Sequence, residues 1–324
     1  MPKSLWRFLL FFCSPFQALL ADSGVAELPS VAITTFVEHR AVDSVRRGIE
    51  DLLFEHGYED GKTVTIRYLC AQGSSATAAQ IAKMLAADRP TVIVPISTAS
   101  AQAIAAATRT VPIVFASVTD PIGSRIIGGW LASGTNITGV SDAIFVDEQV
   151  RLLERLIPNL RAVGFIYNPG ETNSVSVLRA MAAQLGQRNI ELVAAPAQVP
   201  ADIPLAVRSI CSKVDIIFTP TDNTIGSAYE SLAMAADECH IATVSADPEL
   251  VRRGAAASLG VSYYDLGRQA GAMVVRTIEG RSPGDIPPAV SNCTKLFINR
   301  KAARLQGLAL PDDLVRSADG VFGK

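Results

Sequence analysis

Aromatic residues and histidines are scarce in this chain of 324 residues. Phe, Trp and Tyr together make up 6% of it, it contains 3 histidines, and the formal net charge is −2. Proteins that bind nucleic acid normally carry a basic surface interleaved with aromatic side chains, and the sequence offers neither. The histidines, His39, His56 and His240, do not have the spacing of metal ligands. We therefore expect no nucleic-acid partner and no metal site.

The motifs of common α/β enzymes are missing as well. The sequence has no GxSxG nucleophile elbow, no GxxxxGK[ST] phosphate loop, and no GxGxxG after its first predicted strand. No motif pairs a nucleophile with a general base. The absence of these motifs favours a protein that binds without catalysis and needs no cofactor.

Closely spaced cysteine pairs are also absent. Cys70, Cys211, Cys239 and Cys293 are far apart in the sequence, without a CxxC motif and without adjacent histidines. This spacing does not predict a metal site. One or two disulfides in an exported protein, or small buried thiols, both remain open.

The first 21 residues have the pattern of a secretory signal peptide. Lys3 and Arg7 precede the short apolar segment 8–13, and Ala21 is a plausible cleavage position. The apolar segment is shorter than the ~20 residues that span a bilayer. An uncleaved anchor, or a lipid attached to Cys13, are the alternatives. The pattern predicts export to the periplasm.

The rest of the chain alternates short apolar strands with amphipathic helices. Strand Ser30–Phe36, for example, precedes helix Ala41–His56, whose apolar residues recur at helical spacing. The alternation predicts two doubly wound parallel-sheet lobes of α/β class, joined by a hinge that the chain crosses several times. We expect 30–139 to form the first lobe, with a returning segment near 246–290. The second lobe is expected over 140–245, with a C-terminal return near 291–324.

Several predicted strands end in small polar residues. The pattern of an apolar run followed by Ser, Thr, Asn or Asp recurs over 92–100, 113–122, 165–174, 216–224 and 242–249. Because open α/β sheets bind ligands at the carboxyl ends of their strands, the pattern predicts a crevice for a small polar solute. The candidate ligand-binding residues are Phe36, Ser97, Thr98, Ser117, Thr119, Asp120, Asn173, Ser174, Asp222, Asn223 and Asp247.

These candidates have different expected roles. The hydroxyl groups near Ser97, at the start of a helix, suit an anionic group, and plain N-capping is the alternative. Asp222 is the favoured acceptor for a ligand amino group, although it also fits as the N-cap of a helix over Ile225–Cys239. Asp120 and Asp247 are each followed by a proline. The alternative role is a turn for Asp120 and a helix start for Asp247. Phe36 is a candidate wall for a flat ligand.

The chain resembles the substrate-binding proteins of ABC transporters that have the periplasmic-binding-protein type I fold. The resemblance is carried by TTFVEH, GYEDGKTVTIRY, TDPIGS, TGVSD, YNPGETNS, PTDNT, GVSYYDLGRQAG and the C-terminal LFINRKAARLQGLALPDDLVRSAD, and it covers Ser30–Asp319. Within this family the sequence is similar to the branch associated with tryptophan and phenylalanine uptake. It departs from that branch over Ala246–Arg253, where ADPELVRR replaces a glycine-rich acidic segment.

The resemblance implies an extracytoplasmic receptor that captures a small amino-acid-like solute, with an aromatic side chain as one option, between two lobes. It would deliver the solute to an ABC permease and its ATPase subunits, and we expect a monomer. An exported sensory module for a signalling partner is the main alternative, and an α/β-fold enzyme is a weaker one.

Overall fold

The computed structural model describes residues 27–291 and 294–323. The predicted signal peptide and Cys293 lie outside the described residues. The strands are β1 Ser30–Thr35, β2 Thr65–Cys70, β3 Val92–Ile96, β4 Ile113–Ala116, β5 Ile137–Ser141, β6 Ala162–Tyr167, β7 Glu191–Pro196, β8 Ile216–Thr219, β9 Thr243–Ser245, β10 Ala257–Val261, β11 Ala289–Val290, β12 Thr294–Asn299 and β13 Gly320–Phe322. The helices are α1 Arg40–Glu55, α2 Ser75–Asp88, α3 Thr98–Ala107, α4 Val146–Leu156, α5 Thr172–Gly186, α6 Ile203–Ile210, α7 Asn223–Ser227, α8 Tyr229–Cys239, α9 Tyr263–Ile278, α10 Arg300–Leu305 and α11 Asp312–Ser317.

The strands form two sheets with the same internal order. The first sheet runs β2-β1-β3-β4-β5-β11, and the second runs β7-β6-β8-β9-β10-β12-β13. Neighbouring strands are parallel except for the antiparallel pair β10–β12. In each sheet the strand order reverses beside the first strand of its lobe, β1 or β6, which is where doubly wound sheets bind ligands. The predicted α/β fold of two doubly wound lobes is confirmed.

Each sheet is covered by apolar side chains on both faces. In β1, Val31 and Ile33 face the layer formed by α1 and α9, whereas Ala32 faces the layer formed by α2 and α3. The second sheet is likewise packed on both faces. Burial on both faces explains the continuous apolar runs of the strands, because no face is left for polar residues until the strand ends.

The chain passes between the lobes after β5, after β10, and between β11 and β12. The sequence predicts that 246–290 belongs to the first lobe, and the structure differs over the first part of this segment. β10 pairs with β9 and β12 in the second sheet, so the chain returns to the first lobe only at α9. The chain crosses to the first lobe directly after β10. The lobe to which β10 belongs depends on the strands it pairs with, and the local sequence does not reveal them.

Helix α9 is fixed to α1 by close backbone contact. A β-carbon on Gly48 would lie 2.2 Å from the carbonyl oxygen of Tyr264, and one on Gly267 would lie 2.1 Å from that of Val45. Arg268 also donates two hydrogen bonds of 2.8 Å to Glu55. The returning segment is therefore an integral part of the first lobe.

The helix expected over Ile225–Cys239 is broken. The backbone leaves the helical conformation at Ala228, which separates α7 from α8. The break frees the carbonyl groups of Gly226 and Ser227, and both accept hydrogen bonds from the guanidinium group of Arg253. The Arg253 side chain, 26 and 27 residues away in the sequence, compensates for the lost helical bonds.

Candidate functional site

A small cavity, the inner cavity, lies between the two lobes at the carboxyl ends of their strands. It is lined by His39, Ala41, Val42, Ser97, Thr98, Ser117, Thr119, Asp142, Asn173, Thr221, Asp222, Asn223, Asp247 and Tyr263. No lysine or arginine is among these lining residues. The cavity therefore combines hydroxyl, amide and carboxylate groups with a single imidazole.

Ser97 and Ser117 form part of the first lobe's wall in strained backbone conformations. Their φ angles are 79° and 55°, in the region that favours glycine. Such a conformation costs about 1–3 kcal/mol and persists where the surroundings impose it, often at ligand sites. The hydroxyl oxygens of Ser97 and Thr98 are buried and have no hydrogen-bond partner within the described residues. Both groups are available to a ligand at the N-terminus of α3.

Asp142 follows β5 at the first crossing between the lobes. One of its carboxylate oxygens, Oδ2, accepts a hydrogen bond of 2.9 Å from the Ser117 hydroxyl. The other, Oδ1, is buried without a partner in the part of the chain that the structure describes. Burial raises the pKa of Asp142. An unpaired oxygen on a buried carboxyl group is costly unless a ligand or water satisfies it.

Asp247 is a second buried carboxyl group on the cavity wall. Its Oδ1 accepts a hydrogen bond of 2.9 Å from the backbone of Glu249, so it caps the short 3-10 helix that follows. Burial, which outweighs that bond, raises the pKa of Asp247 to about 7. The carboxyl groups of Asp247 and Asp142 both raise the pKa of Tyr263, although burial is the larger cause. The two acids and the tyrosine therefore converge on one side of the cavity.

Asp222, in contrast, accepts hydrogen bonds from the protein on both of its carboxylate oxygens. Its Oδ1 accepts from the backbone N–H of Ile225 at 2.9 Å, as an N-cap of α7. Its Oδ2 accepts from the Ser174 hydroxyl at 2.6 Å and from the backbone N–H of Asn168 at 2.7 Å. Burial and the nearby Glu171 raise the pKa of Asp222. Asp222 therefore caps α7 and is held within the second lobe, and its contact with a ligand amino group stays a prediction.

Glu171 holds the side chain of Asn223 in the second lobe. Its Oε2 accepts from the backbone N–H and the side-chain amide of Asn223, at 2.9 and 2.7 Å. Its Oε1 accepts from the N–H and hydroxyl groups of Thr224, both at 2.9 Å. Asn173 donates to the carbonyl oxygen of Thr221 at 2.7 Å, and its own Oδ1 has no partner in the described structure.

His39 lies between the two lobes. Its ring atoms Cδ2, Cε1 and Nε2 are 3.9–4.0 Å from the position that a β-carbon on Gly226 would take. The ring nitrogen Nδ1 is buried and unpaired within the described residues. Burial, together with the charge of Arg253, lowers the pKa of His39 to about 4. The imidazole is therefore neutral at physiological pH in this arrangement of the lobes.

Hydrogen bonds across the cleft connect the lobes around the cavity. The hydroxyl groups of Thr119 and Thr221 are 3.0 Å apart, and the Ser176 hydroxyl donates to Asp120 at 2.5 Å. The Gln102 side chain also reaches Thr172 at 3.3 Å. The cavity is thus enclosed by contacts that separate if the lobes move apart.

Most of the residues predicted from strand ends meet at this cavity, and three do not line it. The predicted residues that line it are Ser97, Thr98, Ser117, Thr119, Asn173, Asp222, Asn223 and Asp247. Ser174 instead supports Asp222, Asp120 bridges the lobes, and Phe36 lines a separate cavity. Contact of any of them with a ligand stays a prediction.

Asp142 and Thr221 were missed as site residues, and so was Glu171 as a support. Asp142 ends the run GVSD directly after a strand, which is the same signal that identified the other candidates. It lies just after the predicted boundary of the first lobe at 139, where a crossing between the lobes also explains the sequence. His39 and Tyr263 also line the cavity and are not among the candidates predicted from the sequence.

Two other classes of site were sought in residues 27–291 and 294–323. No helix there combines the length and the apolar character needed to cross a bilayer. No group of three or more potential metal ligands comes together in those residues.

Two α/β lobes that enclose a polar cavity at their strand ends define a solute-binding protein of the two-lobed class. The chain belongs to the family described as ABC transporter substrate binding protein, whose profile matches residues 30–322. Members of this family bind substrates, so the protein is a receptor and not an enzyme. The resemblance noted in the sequence is confirmed.

Relatives of known structure or function agree with this assignment. A tyrosine-binding protein of Clostridioides difficile is 32% identical over 283 residues, which covers 86% of this chain and 82% of that protein. The structure of an ABC domain from Streptococcus pneumoniae in complex with L-Trp has a TM-score of 0.87 and 30% identity, and covers 91% of this chain and 100% of that one. A conserved domain protein from Vibrio cholerae has a TM-score of 0.89 and 38% identity, with the same coverage.

Proposed function

We propose that the protein is the extracytoplasmic receptor of an ABC importer and that it captures an aromatic α-amino acid. The observation that carries this proposal is the unpaired, buried Oδ1 of Asp142, a residue that lines a cavity without basic side chains. A ligand with an ammonium group supplies both the donor and the positive charge that this carboxylate lacks.

The ammonium group binds on the side of the cavity that holds the acids. Asp142 and Asp247 both line it, and neither is paired with a lysine or an arginine among the lining residues. Burial raises the pKa of each acid because its charge is poorly solvated. An ammonium ion beside them reverses that effect, lowers both pKa values and strengthens binding in return.

The carboxylate of the amino acid binds at the start of α3. The hydroxyl groups of Ser97 and Thr98 are unpaired there in the described structure, and α3 has 10 residues. The N-terminus of a helix of this length carries a partial positive charge and free backbone N–H groups, which together bind carboxylates without an arginine. The two ends of the cavity therefore match the two charges of a zwitterion.

The aromatic character of the ligand is supported by the relatives. One is named for tyrosine and another was solved with L-Trp, at 32% and 30% identity to this chain. The residues of the cavity are the evidence for an amino-acid head group in the ligand. The relatives are the evidence for an aromatic side chain.

Isothermal titration calorimetry with matched ligands tests the head-group assignment. L-tyrosine is compared with tyramine, which lacks the carboxylate, and with 3-(4-hydroxyphenyl)propionate, which lacks the amine. We expect L-tyrosine or L-tryptophan to bind with one molecule per protein, and both truncated ligands to bind at least about 30-fold more weakly, as expected for a charge left unpaired in a buried site.

The proposal fails if neither aromatic amino acid raises the melting temperature while a sugar or a purine does. It also fails if the deaminated acid binds as tightly as L-tyrosine, because the acids would then have no role in binding.

Delivery to a permease and ATPase, export to the periplasm and a monomeric state are parts of the same proposal. Family membership supports the transporter partners, and the N-terminal pattern supports export. Intact mass of the exported protein tests removal of 1–21, and light scattering tests for a monomer of the mature mass. Stimulation of ATP hydrolysis by its permease complex, only when ligand is present, tests the importer role.

A further inference from the structure

A second and larger cavity, the outer cavity, lies between the same two lobes. Its volume is about 510 Å³, compared with about 30 Å³ for the inner cavity. Because one water molecule needs about 10–15 Å³ of cavity volume, the inner cavity has room for a few water molecules and not for an aromatic ring. An aromatic amino acid therefore needs space beyond the inner cavity.

The two cavities are direct neighbours. Asn223 lines both of them. At the start of α3, Thr98 faces the inner cavity and the next residue, Ala99, faces the outer one. At the start of α5, Asn173 lines the inner cavity and Glu171 lines the outer one. The two cavities therefore share a wall at Asn223 and at the starts of α3 and α5.

The chemistry of the outer cavity differs from that of the inner one. Its wall is partly apolar, through Phe36, Val37, Ala99, Ala103, Val199 and Pro200. Its other large side chains are mainly neutral amides, namely Gln72, Gln102, Asn168, Asn223 and Gln198. Its single charged residue, Glu171, is occupied by the donors of Asn223 and Thr224. A mixed apolar and amide wall suits an uncharged group that carries a hydrogen-bonding atom.

We propose that the outer cavity receives the aromatic side chain of the bound amino acid, with Phe36 as its aromatic wall and Asn223 beside the junction with the head group. This inference rests on the proposed function and extends it from the head group to the side chain. The neutral amides offer partners to a phenol or an indole N–H, so the pocket takes polar aromatic rings.

Filling the outer cavity tests the proposal. Ala103→Phe places a ring in this cavity from α3, whereas Ala106→Phe places the same ring on the exposed face of the same helix. Binding of L-tyrosine, L-tryptophan and L-alanine is measured by calorimetry, with thermal shift at millimolar L-alanine. We expect Ala103→Phe to weaken binding of both aromatic ligands at least 30-fold and to leave the L-alanine response unchanged. The Ala106→Phe control should match the wild type.

Phe36→Leu and Ala103→Val are second variants that keep the test decisive if Ala103→Phe does not fold. Each should weaken aromatic ligands several-fold and leave L-alanine unaffected. The proposal is overturned if the filled variants bind aromatic ligands like the wild type, or if they lose L-alanine equally, which indicates blocked lobe closure. A stoichiometry of two also overturns it, because the outer cavity then holds a second molecule. In each of these cases the wild type still binds an aromatic amino acid, so the proposed function stands. If the wild type binds none, both proposals fail.

Discussion

Asp142 and Asp222 are two buried acids in similar positions with different hydrogen bonding. Each follows a strand, each lines the inner cavity, and burial raises the pKa of each. The oxygens of Asp222 accept from Ile225, Ser174 and Asn168, all in the second lobe. Asp142 accepts from Ser117 through one oxygen and keeps the other unpaired in the described structure.

The difference separates an acid that is bonded within the protein from the acid that we propose binds the ligand. Position and burial are shared, so neither identifies the acid that binds the ligand. What distinguishes the two is whether the protein itself supplies the donors that a buried carboxylate requires. Replacement of Asp142 by its amide should therefore lower ligand affinity, whereas the same replacement of Asp222 should lower the stability of the protein.

The largest effect is expected for ligand affinity in Asp142→Asn. The amide keeps the shape and can still accept from Ser117, but it removes the charge that faces the ammonium group. A buried charge left without its partner costs about 2–5 kcal/mol, which corresponds to binding at least about 30-fold weaker. Calorimetry with L-tyrosine measures this loss. Because the buried charge is itself unfavourable in the empty protein, the free energy of unfolding without ligand should stay the same or rise slightly.

Asp312→Asn is the matched control, because Asp312 is exposed in the first turn of α11. It should leave affinity unchanged. Equal affinity of Asp142→Asn and the wild type would remove Asp142 from the site and undo the contrast with Asp222.

The next effect is expected for stability in Asp222→Asn. An amide has one acceptor oxygen, whereas the backbone N–H groups of Asn168 and Ile225 point at different oxygens of Asp222. One of them must therefore face an NH₂ group and lose its bond. A buried donor left unsatisfied costs about 1–3 kcal/mol, and chemical denaturation of the ligand-free protein measures that loss. An unfolding free energy equal to that of Asp312→Asn would show that Asp222 has no structural role.

This contrast also marks how much the sequence could predict. Apolar runs that end in Ser, Thr or Asp predicted the lobes and most of the cavity wall, because parallel sheets bring strand ends together regardless of sequence distance. Local sequence predicted Asp222 either as a ligand acceptor or as an N-cap, but it could not show the two donors from distant parts of the chain. Asn168 and Ser174 are 54 and 48 residues away from it. Asp142 had the same strand-end signal, but the crossing provided a competing explanation.

Binding should also depend on pH through His39, with a smaller effect. The His39 ring lies 3.9–4.0 Å from the position that a β-carbon on Gly226 of the other lobe would take. Its pKa of about 4 reflects burial first and then Arg253, with Glu171, Asn223 and Asp43 opposing. We expect the lobes to separate when the site is empty, and the exposed ring then regains a pKa near its usual value of about 6.5 and takes up a proton. Above about pH 6.5 His39 is neutral in both forms and does not oppose closure. Below that pH, closure must release the proton, so ligand affinity decreases by up to one log unit per pH unit.

His39→Gln isolates this contribution from that of the acids. Between pH 7.5 and 5.5 the wild type should lose about tenfold more affinity for L-tyrosine than His39→Gln does. We attribute the remaining decrease in the affinity of His39→Gln at low pH to Asp142 and Asp247, because both must ionise to bind an ammonium group. Identical pH profiles of the two proteins would show that His39 stays buried when the lobes open.

The smallest effect is expected at Asp120, an acid whose bonding depends on lobe closure. Its oxygens accept from the backbone of Gly123 in its own lobe and from the Ser176 hydroxyl in the other. In the open form both side chains are hydrated, so the second bond contributes to closure and not to folding. A typical bond of this kind contributes about 0.5–1.5 kcal/mol, so Ser176→Ala should weaken L-tyrosine binding by about two- to tenfold without changing the free energy of unfolding. Ser209→Ala, which removes a hydroxyl bonded within its own helix to Ala206, is the control and should leave affinity unchanged. If Ser176→Ala lowered the stability of the ligand-free protein instead, Asp120 would belong with Asp222, and the lobes would have to be closed before ligand binds.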